Sequence, residues 1–116
     1  MIMPGISIHV VDVSRGIVAS VMHVALHGSD GNLIAKGPLA ANGTLDDPAL
    51  ARIFAPGIYR ATFHVAAYYR AAGVALPAVP FLDVVTYDFG IANPAQHYHL
   101  PFKCTPWGYS CFRGGA

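Results

Sequence analysis

The chain has 116 residues, of which 54% are hydrophobic and only 11% are charged, and its formal net charge is +1. A protein of this length usually builds one domain, so residues 1–116 are predicted to form a single domain. The near-neutral charge, without a basic run, argues against a nucleic-acid partner. The charged fraction lies well below the roughly 25% of typical domains, which indicates that another subunit covers part of the surface.

The sequence has no pattern typical of a membrane or export segment. Its N-terminus lacks a basic region followed by an apolar one, and no stretch of about 18 apolar residues occurs. We therefore expect no membrane span and a cytoplasmic location. Cys104 and Cys111 are then expected to be reduced.

Most of the chain is predicted to be β-strand. Short runs of β-branched and aromatic residues are separated by turn formers, and one Ala-rich stretch, 66–73, is typical of a helix that ends on a glycine. Seven or eight short strands with one short helix indicate an all-β fold, a β-sandwich. The predicted strands cover residues 6–13, 21–27, 33–40, 56–65, 81–91, 97–103 and 108–112.

Histidines stand on two of these strands. His97 and His99 lie two residues apart and therefore share one face, and His9 lies on the face of the first strand opposite Ile8. Imidazole titrates near neutral pH, so such a group could perform acid/base catalysis. Three histidines could also ligate zinc, and histidines of this kind also occur at interfaces or hydrogen-bonded in cores. The residues alone leave these possibilities open.

Three stretches resemble a known family. HVVDVSRGIVA, PGIYRATFHVAAYYRAAG and QHYHLPFKCTPWGYSCFRGG are similar to the transthyretin-like 5-hydroxyisourate hydrolases, nearly from end to end. The tail is the specific part, since the family reads His-Tyr-His-(Val/Leu)-Pro, a turn, and then Gly-Tyr-Ser-Thr-Tyr-Arg-Gly-Ser. The resemblance implies a transthyretin-like β-sandwich that forms a homotetramer, a dimer of dimers, with active sites between subunits. It also implies that no metal or organic cofactor is needed.

The resemblance further implies a reaction and its residues. The family opens the six-membered ring of 5-hydroxyisourate by attack of water on a ring carbonyl. This chemistry needs a base, a donor for the developing oxyanion and a proton for the leaving nitrogen. His9, His99 and Arg113 match the family's catalytic residues, and His97 is expected to bind the substrate beside them.

Three positions depart from the family pattern. Thr44 stands where the family has an arginine, Phe112 replaces the tail tyrosine, and Gly115 replaces the terminal serine. All three are expected to contact the substrate. Losing a guanidinium, a phenol and a hydroxyl would suit an N-methylated substrate, because a buried polar group without a partner is costly beside a methyl group. Arg52 is an alternative source of the missing guanidinium.

Two functions therefore stay open. One is a hydrolase acting on 5-hydroxyisourate or, favoured, on an N-methylated analogue from the catabolism of methylated urates. The other is a non-catalytic, transthyretin-like protein that binds a small ligand through a decayed site. We favour the hydrolase, because decay would be expected to spare neither His9 nor His99.

Overall fold

The computed structural model describes residues 3–115 and consists of two four-stranded β-sheets and one short helix. The strands are β1 (Gly5–Asp12), β2 (Ile17–Val18), β3 (His23–His27), β4 (Leu33–Pro38), β5 (Gly57–His64), β6 (Val84–Ile91), β7 (His97–Thr105) and β8 (Gly108–Cys111), and the helix is α1 (Val65–Ala71). The first sheet has the order β2-β1-β7-β8 and the second β4-β3-β5-β6. The predicted β-sandwich of seven to eight strands with one short helix is thereby confirmed.

A parallel strand pair at the centre of the first sheet brings the two ends of the chain together. β1 and β7 pair so that Ser7 stands opposite His99 and His9 opposite Pro101. Side chains alternate along a strand, so these residues share the outer face of the sheet. Ile8, between Ser7 and His9, is fully buried on the inner face, as the alternation predicts.

The hydrophobic core lies between the inner faces of the two sheets. Phe63 of β5 stacks on Phe102 of β7 with ring centroids 3.9 Å apart, which joins the sheets at their centre. Burying one such ring contributes about 1.5–3 kcal/mol. Alternation over residues 57–65 predicts that Tyr59, Ala61, Phe63 and Val65 share one face, and all four are buried.

A buried carboxylate ties α1 to β1. Asp12 is fully buried at the end of β1 and accepts hydrogen bonds from the hydroxyls of Tyr68 (3.0 Å) and Tyr69 (2.7 Å) on the helix. It also accepts from Ser14 Oγ at 2.6 Å and from Arg15 Nε at 2.8 Å. Burial raises the pKa of this carboxyl, but the four hydrogen bonds outweigh that effect and lower the pKa to about 2.

The structure also corrects the sequence analysis in detail. The helix begins one residue before the predicted start and ends at Ala71, and β2 was missed because two residues are too few to show alternation.

Cys104 and Cys111 are free thiols, each opposite an aromatic residue of the neighbouring strand rather than opposite each other. Within residues 3–115, no helix is long and apolar enough to cross a membrane.

Candidate active site

The outer face of the first sheet gathers the side chains that could carry chemistry. β1 supplies Ser7 and His9, and β7 supplies His97 and His99. Thr44, in the loop after β4, joins them through an isolated antiparallel bridge to His9. We call these five residues the histidine cluster. Four of them are site residues expected from the sequence, and Ser7 is the addition.

Ser7 links the two histidines of β7. Its Oγ lies 2.8 Å from Nε2 of His97 and 2.6 Å from Nδ1 of His99. The other ring nitrogen of His97, Nδ1, lies 3.1 Å from the carbonyl oxygen of Met3. Because both of its ring nitrogens already have partners, His97 is better placed to support His99 than to bind a substrate.

His9 and Thr44 are held by one asparagine. Nε2 of His9 lies 3.1 Å from the carbonyl oxygen of Asn42, and since a carbonyl can only accept, this nitrogen carries the hydrogen. The Thr44 hydroxyl donates to the side-chain oxygen of the same asparagine at 2.7 Å. Neutral His9 therefore has its unprotonated nitrogen, Nδ1, turned away from this contact.

The surroundings of His99 favour its neutral form. Burial lowers the pKa of the half-buried imidazole, repulsion from the protonated forms of His9 and then His97 lowers it further, and contact with the Ser7 backbone acts in the opposite direction. The net pKa lies below the ordinary imidazole value. His99 is therefore neutral at pH 7 and able to accept a proton.

The C-terminal tail continues the pairing of β8 along β7 and packs on His99. The Gly114 backbone N–H donates to the His99 carbonyl oxygen at 2.8 Å. A β-carbon at Gly114 would lie 2.7 Å from Cδ2 of His99 and 3.1 Å from Pro101. Phe112, two residues earlier, lies on this same outer face, and its ring is 5.9 Å from the Lys103 ammonium. The tail therefore forms one wall of the histidine cluster.

Arg113 points to the other side of β7. Its guanidinium lies 4.1 Å from the ring centroid of Tyr98, which belongs to the inner face, and donates to the carbonyl oxygen of His97 and to Gln96 at 3.2 Å each. Within its own chain the structure does not bring Arg113 together with the imidazoles of His9 and His99.

The remaining candidates lie outside the cluster. Gly115 is exposed, and a β-carbon there would meet nothing within 4 Å. Arg52 packs its guanidinium 4.7 Å from the ring centroid of Phe54. In residues 3–115, no three His, Cys, Asp or Glu side chains are arranged to hold a metal ion, and His97 and His99 turn their facing nitrogens to Ser7 instead.

Comparison with known proteins gives a consistent result. A family model described as the HIUase/Transthyretin family matches residues 6–114. The 5-hydroxyisourate hydrolase of Pseudomonas aeruginosa is 39% identical over 110 residues, which cover 91% of this chain and 87% of that protein.

Solved structures show the same similarity. The Klebsiella pneumoniae 5-hydroxyisourate hydrolase superposes with a TM-score of 0.79 at 29% identity, over 97% of this chain and all of that one. An (S)-allantoin synthase superposes with a TM-score of 0.88 at 33% identity. The match covers 96% of this chain but only 43% of the synthase, so the chain spans less than half of that protein.

Proposed function

The chain belongs to the HIUase/Transthyretin family, and on this basis we propose that it is a hydrolase that opens the six-membered ring of 5-hydroxyisourate or, favoured, of an N-methylated analogue. The observation that carries the proposal is the histidine cluster, in which a neutral, half-buried His99 stands beside His9 on an exposed sheet face. Hydrolysis of a cyclic amide needs a base for the attacking water and an acid for the leaving nitrogen, and a pair of imidazoles can supply both. The relatives that carry the name 5-hydroxyisourate hydrolase support the same reaction.

In this proposal His99 is the base. It takes a proton from water while the water oxygen forms a bond to the ring carbonyl carbon, and the carbonyl oxygen becomes an oxyanion. When the oxyanion collapses, the ring C–N bond breaks and the leaving nitrogen takes a proton. His9, on the neighbouring strand with Nε2 fixed by Asn42, is proposed to enter this step as an imidazolium, with a hydrogen on both ring nitrogens, and to supply the proton from Nδ1.

Arg113 is proposed to stabilise the oxyanion across a subunit boundary. Its guanidinium lies on the Tyr98 side of β7, so it cannot face the cluster of its own chain without leaving its present contacts. We propose a homotetramer, a dimer of dimers, in which each cluster lies at a subunit interface. Several large apolar side chains that are exposed in the single chain support burial against other copies, among them Val79 (86% exposed), Phe81 (75%) and Trp107 (63%).

The preference for a methylated ring rests on Thr44 and Phe112. The only polar group of the Thr44 side chain already donates to Asn42, which leaves its methyl group for a substrate. Phe112 offers a half-exposed aromatic ring on the same face as His99. Both positions are therefore better suited to N-methyl groups than to ring N–H groups.

The test is direct. 5-Hydroxyisourate and its N-methylated analogue are generated enzymatically from urate and trimethylurate, and the absorbance of each is followed with and without protein. The expected result is decay faster than the uncatalysed rate, lost in His99→Ala and retained in His23→Ala, which changes an exposed histidine of β3. Decay at the uncatalysed rate with both compounds, combined with measurable binding, would instead favour the ligand-binding alternative.

A further inference from the structure

The carbonyl of Met3 fixes where the protons lie along the histidine cluster. A backbone carbonyl can only accept a hydrogen bond, so Nδ1 of His97, 3.1 Å away, must carry a hydrogen. Neutral His97 then has no hydrogen on Nε2, which can only accept. The donor to it is the Ser7 hydroxyl, 2.8 Å away.

The Ser7 hydroxyl in turn determines which ring nitrogen of His99 carries the hydrogen. Its hydroxyl has a single hydrogen, and once that hydrogen is donated to His97 the oxygen can only accept from its second neighbour. That neighbour is Nδ1 of His99 at 2.6 Å. Neutral His99 therefore carries its hydrogen on Nδ1 and has a lone pair on Nε2.

The parallel register explains why one small hydroxyl can contact both rings. His97 and His99 point outward from β7 about 7 Å apart, as two-residue spacing on a strand requires. Ser7 stands opposite His99 on the adjacent strand and on the same face, so its side chain lies within reach of both imidazoles. No other described side chain hydrogen-bonds to both rings.

We propose that Ser7 is a positioning residue that, with His97 and the Met3 carbonyl, holds neutral His99 in the Nδ1–H tautomer and so makes Nε2 the proton-accepting atom. One part of this proposal, that Nε2 accepts a proton from a water molecule, rests on the proposed function. The tautomer itself is a property of the protein without substrate, so it can be measured separately.

The experiment uses the full-length protein labelled with ¹⁵N. Two-bond ¹H–¹⁵N spectra distinguish the two neutral imidazole tautomers, and His97→Gln and His99→Gln assign the signals. Above the pH at which His99 titrates, we expect the Nδ1–H form for both histidines. In Ser7→Ala we expect His99 to shift towards the Nε2–H form that free histidine prefers, and in Ser7→Thr, which retains a hydroxyl, we expect the wild-type tautomer.

Kinetics supply the second readout. Ser7→Ala should lower kcat about tenfold or more with little change in KM. This loss is a part of the 10²–10⁴-fold acceleration that a general base contributes. Ser7→Thr should recover most of the lost kcat. An Nε2–H tautomer for His99 in the wild type, or an unchanged tautomer in Ser7→Ala, would overturn the proposal whatever the activity. If the protein shows the expected tautomers but hydrolyses neither compound, the role of Ser7 in fixing the tautomer is supported. In that case only the proposed function is contradicted.

Discussion

Gly114 lies so close to His99 that a β-carbon on the glycine would stand 2.7 Å from Cδ2 of the imidazole. The backbone of the glycine also donates to the His99 carbonyl, so the tail is fixed to the same residue whose ring it touches. Space, rather than an unusual backbone angle, requires glycine here. The segment around Gly114 therefore restricts the orientation of the imidazole that we propose as the base.

Replacing Gly114 with alanine tests this role, and Gly115→Ala is the matched control. The added methyl group must displace either the tail or the imidazole, whereas at position 115 it enters open space. A displacement of about 1 Å can cost a factor of about 10², so we expect Gly114→Ala to lower kcat/KM by roughly 10- to 100-fold. Gly115→Ala should stay near wild type. Equal steady-state rates for the two variants would show that the tail does not position His99.

The pH dependence follows from the lowered pKa of His99. A base must be neutral, so kcat/KM should fall on acidification with a midpoint below the ordinary imidazole value of 6.5. Burial and repulsion from protonated His9 and His97 cause the lowering of this pKa, so removing one of these imidazoles should reverse part of it. We expect His9→Ala to raise the pKa of His99 in an NMR titration, while His23→Ala, on the other sheet, leaves it unchanged. A His99 that titrates at or above 6.5 in the wild type would contradict this assignment.

Alternation along β1 and β7 made the faces of the three histidines in the candidate site predictable. A period of two assigns His9 to one face of its strand and His97 and His99 to one face of theirs, from sequence alone. The buried set around Phe63 followed from the same rule. The fold class needed only the count of short strands and turns.

The contact between the two strands could not be predicted in the same way. β1 and β7 pair in parallel across about 90 residues, and nothing local in either strand encodes that register. Ser7 was missed as a site residue for this reason, although its position two residues before His9 placed it on the correct face. For Arg113 the motif match suggested a role, but it could not predict on which side of β7 the guanidinium lies.

Asp12 offers a test of the fold rather than of the site. Its pKa is about 2 in the folded protein against 3.8 for a free side chain, so folding favours the ionised form by about 2 kcal/mol. Because the folded pKa is the lower one, this stabilisation is complete above about pH 5 and is lost as pH falls from about 4 to 2. Asp12→Asn should therefore have a lower free energy of unfolding than the wild type at pH 7, and this difference should become smaller at pH 2.5.

Urea unfolding at pH 7 and pH 2.5 measures the difference in the free energy of unfolding between the two proteins. Asp88→Asn is the control, since Asp88 forms an exposed ion pair with Arg60 and should contribute little. A stability difference between wild type and Asp12→Asn that stays constant with pH would show that the Asp12 carboxylate is not what ties α1 to β1.

Assembly is a further prediction. The chain mass is 12.3 kDa, so the proposed homotetramer should sediment at roughly four times that value at micromolar concentration. The low charge and the exposed side chains of Val79, Phe81 and Trp107 are the physical reasons to expect burial between copies. A stable monomer that nevertheless hydrolyses substrate would remove the reason for placing Arg113 across a subunit boundary.

We predict that substrate choice depends on Thr44 and Phe112, the two residues that depart from the family pattern and share the face of His99. Burying a methyl group against Thr44 or Phe112 contributes on the order of 1 kcal/mol, and a hydrogen bond that the parent compound's N–H can no longer make costs a similar amount. Over two or three positions the sum is about 2–3 kcal/mol, which corresponds to a preference of roughly a hundredfold. We therefore expect a higher kcat/KM for N-methylated hydroxyisourate than for the parent compound.

The double variant Thr44→Arg/Phe112→Tyr should reverse that preference, because it restores a guanidinium and a phenol that can pair with ring N–H groups. Thr44→Arg also breaks the hydrogen bond to Asn42, which fixes His9 as well, so Thr44→Val is the control that removes the hydroxyl without adding a donor. Thr44→Val should keep the preference for the methylated compound, and His99→Ala should depress turnover of both. A wild-type enzyme that acts equally well or better on the unmethylated compound would refute the methyl-binding role of Thr44 and Phe112. The proposed hydrolysis would stand, since the roles proposed for His9 and His99 concern the ring carbonyl and leaving nitrogen that both substrates share.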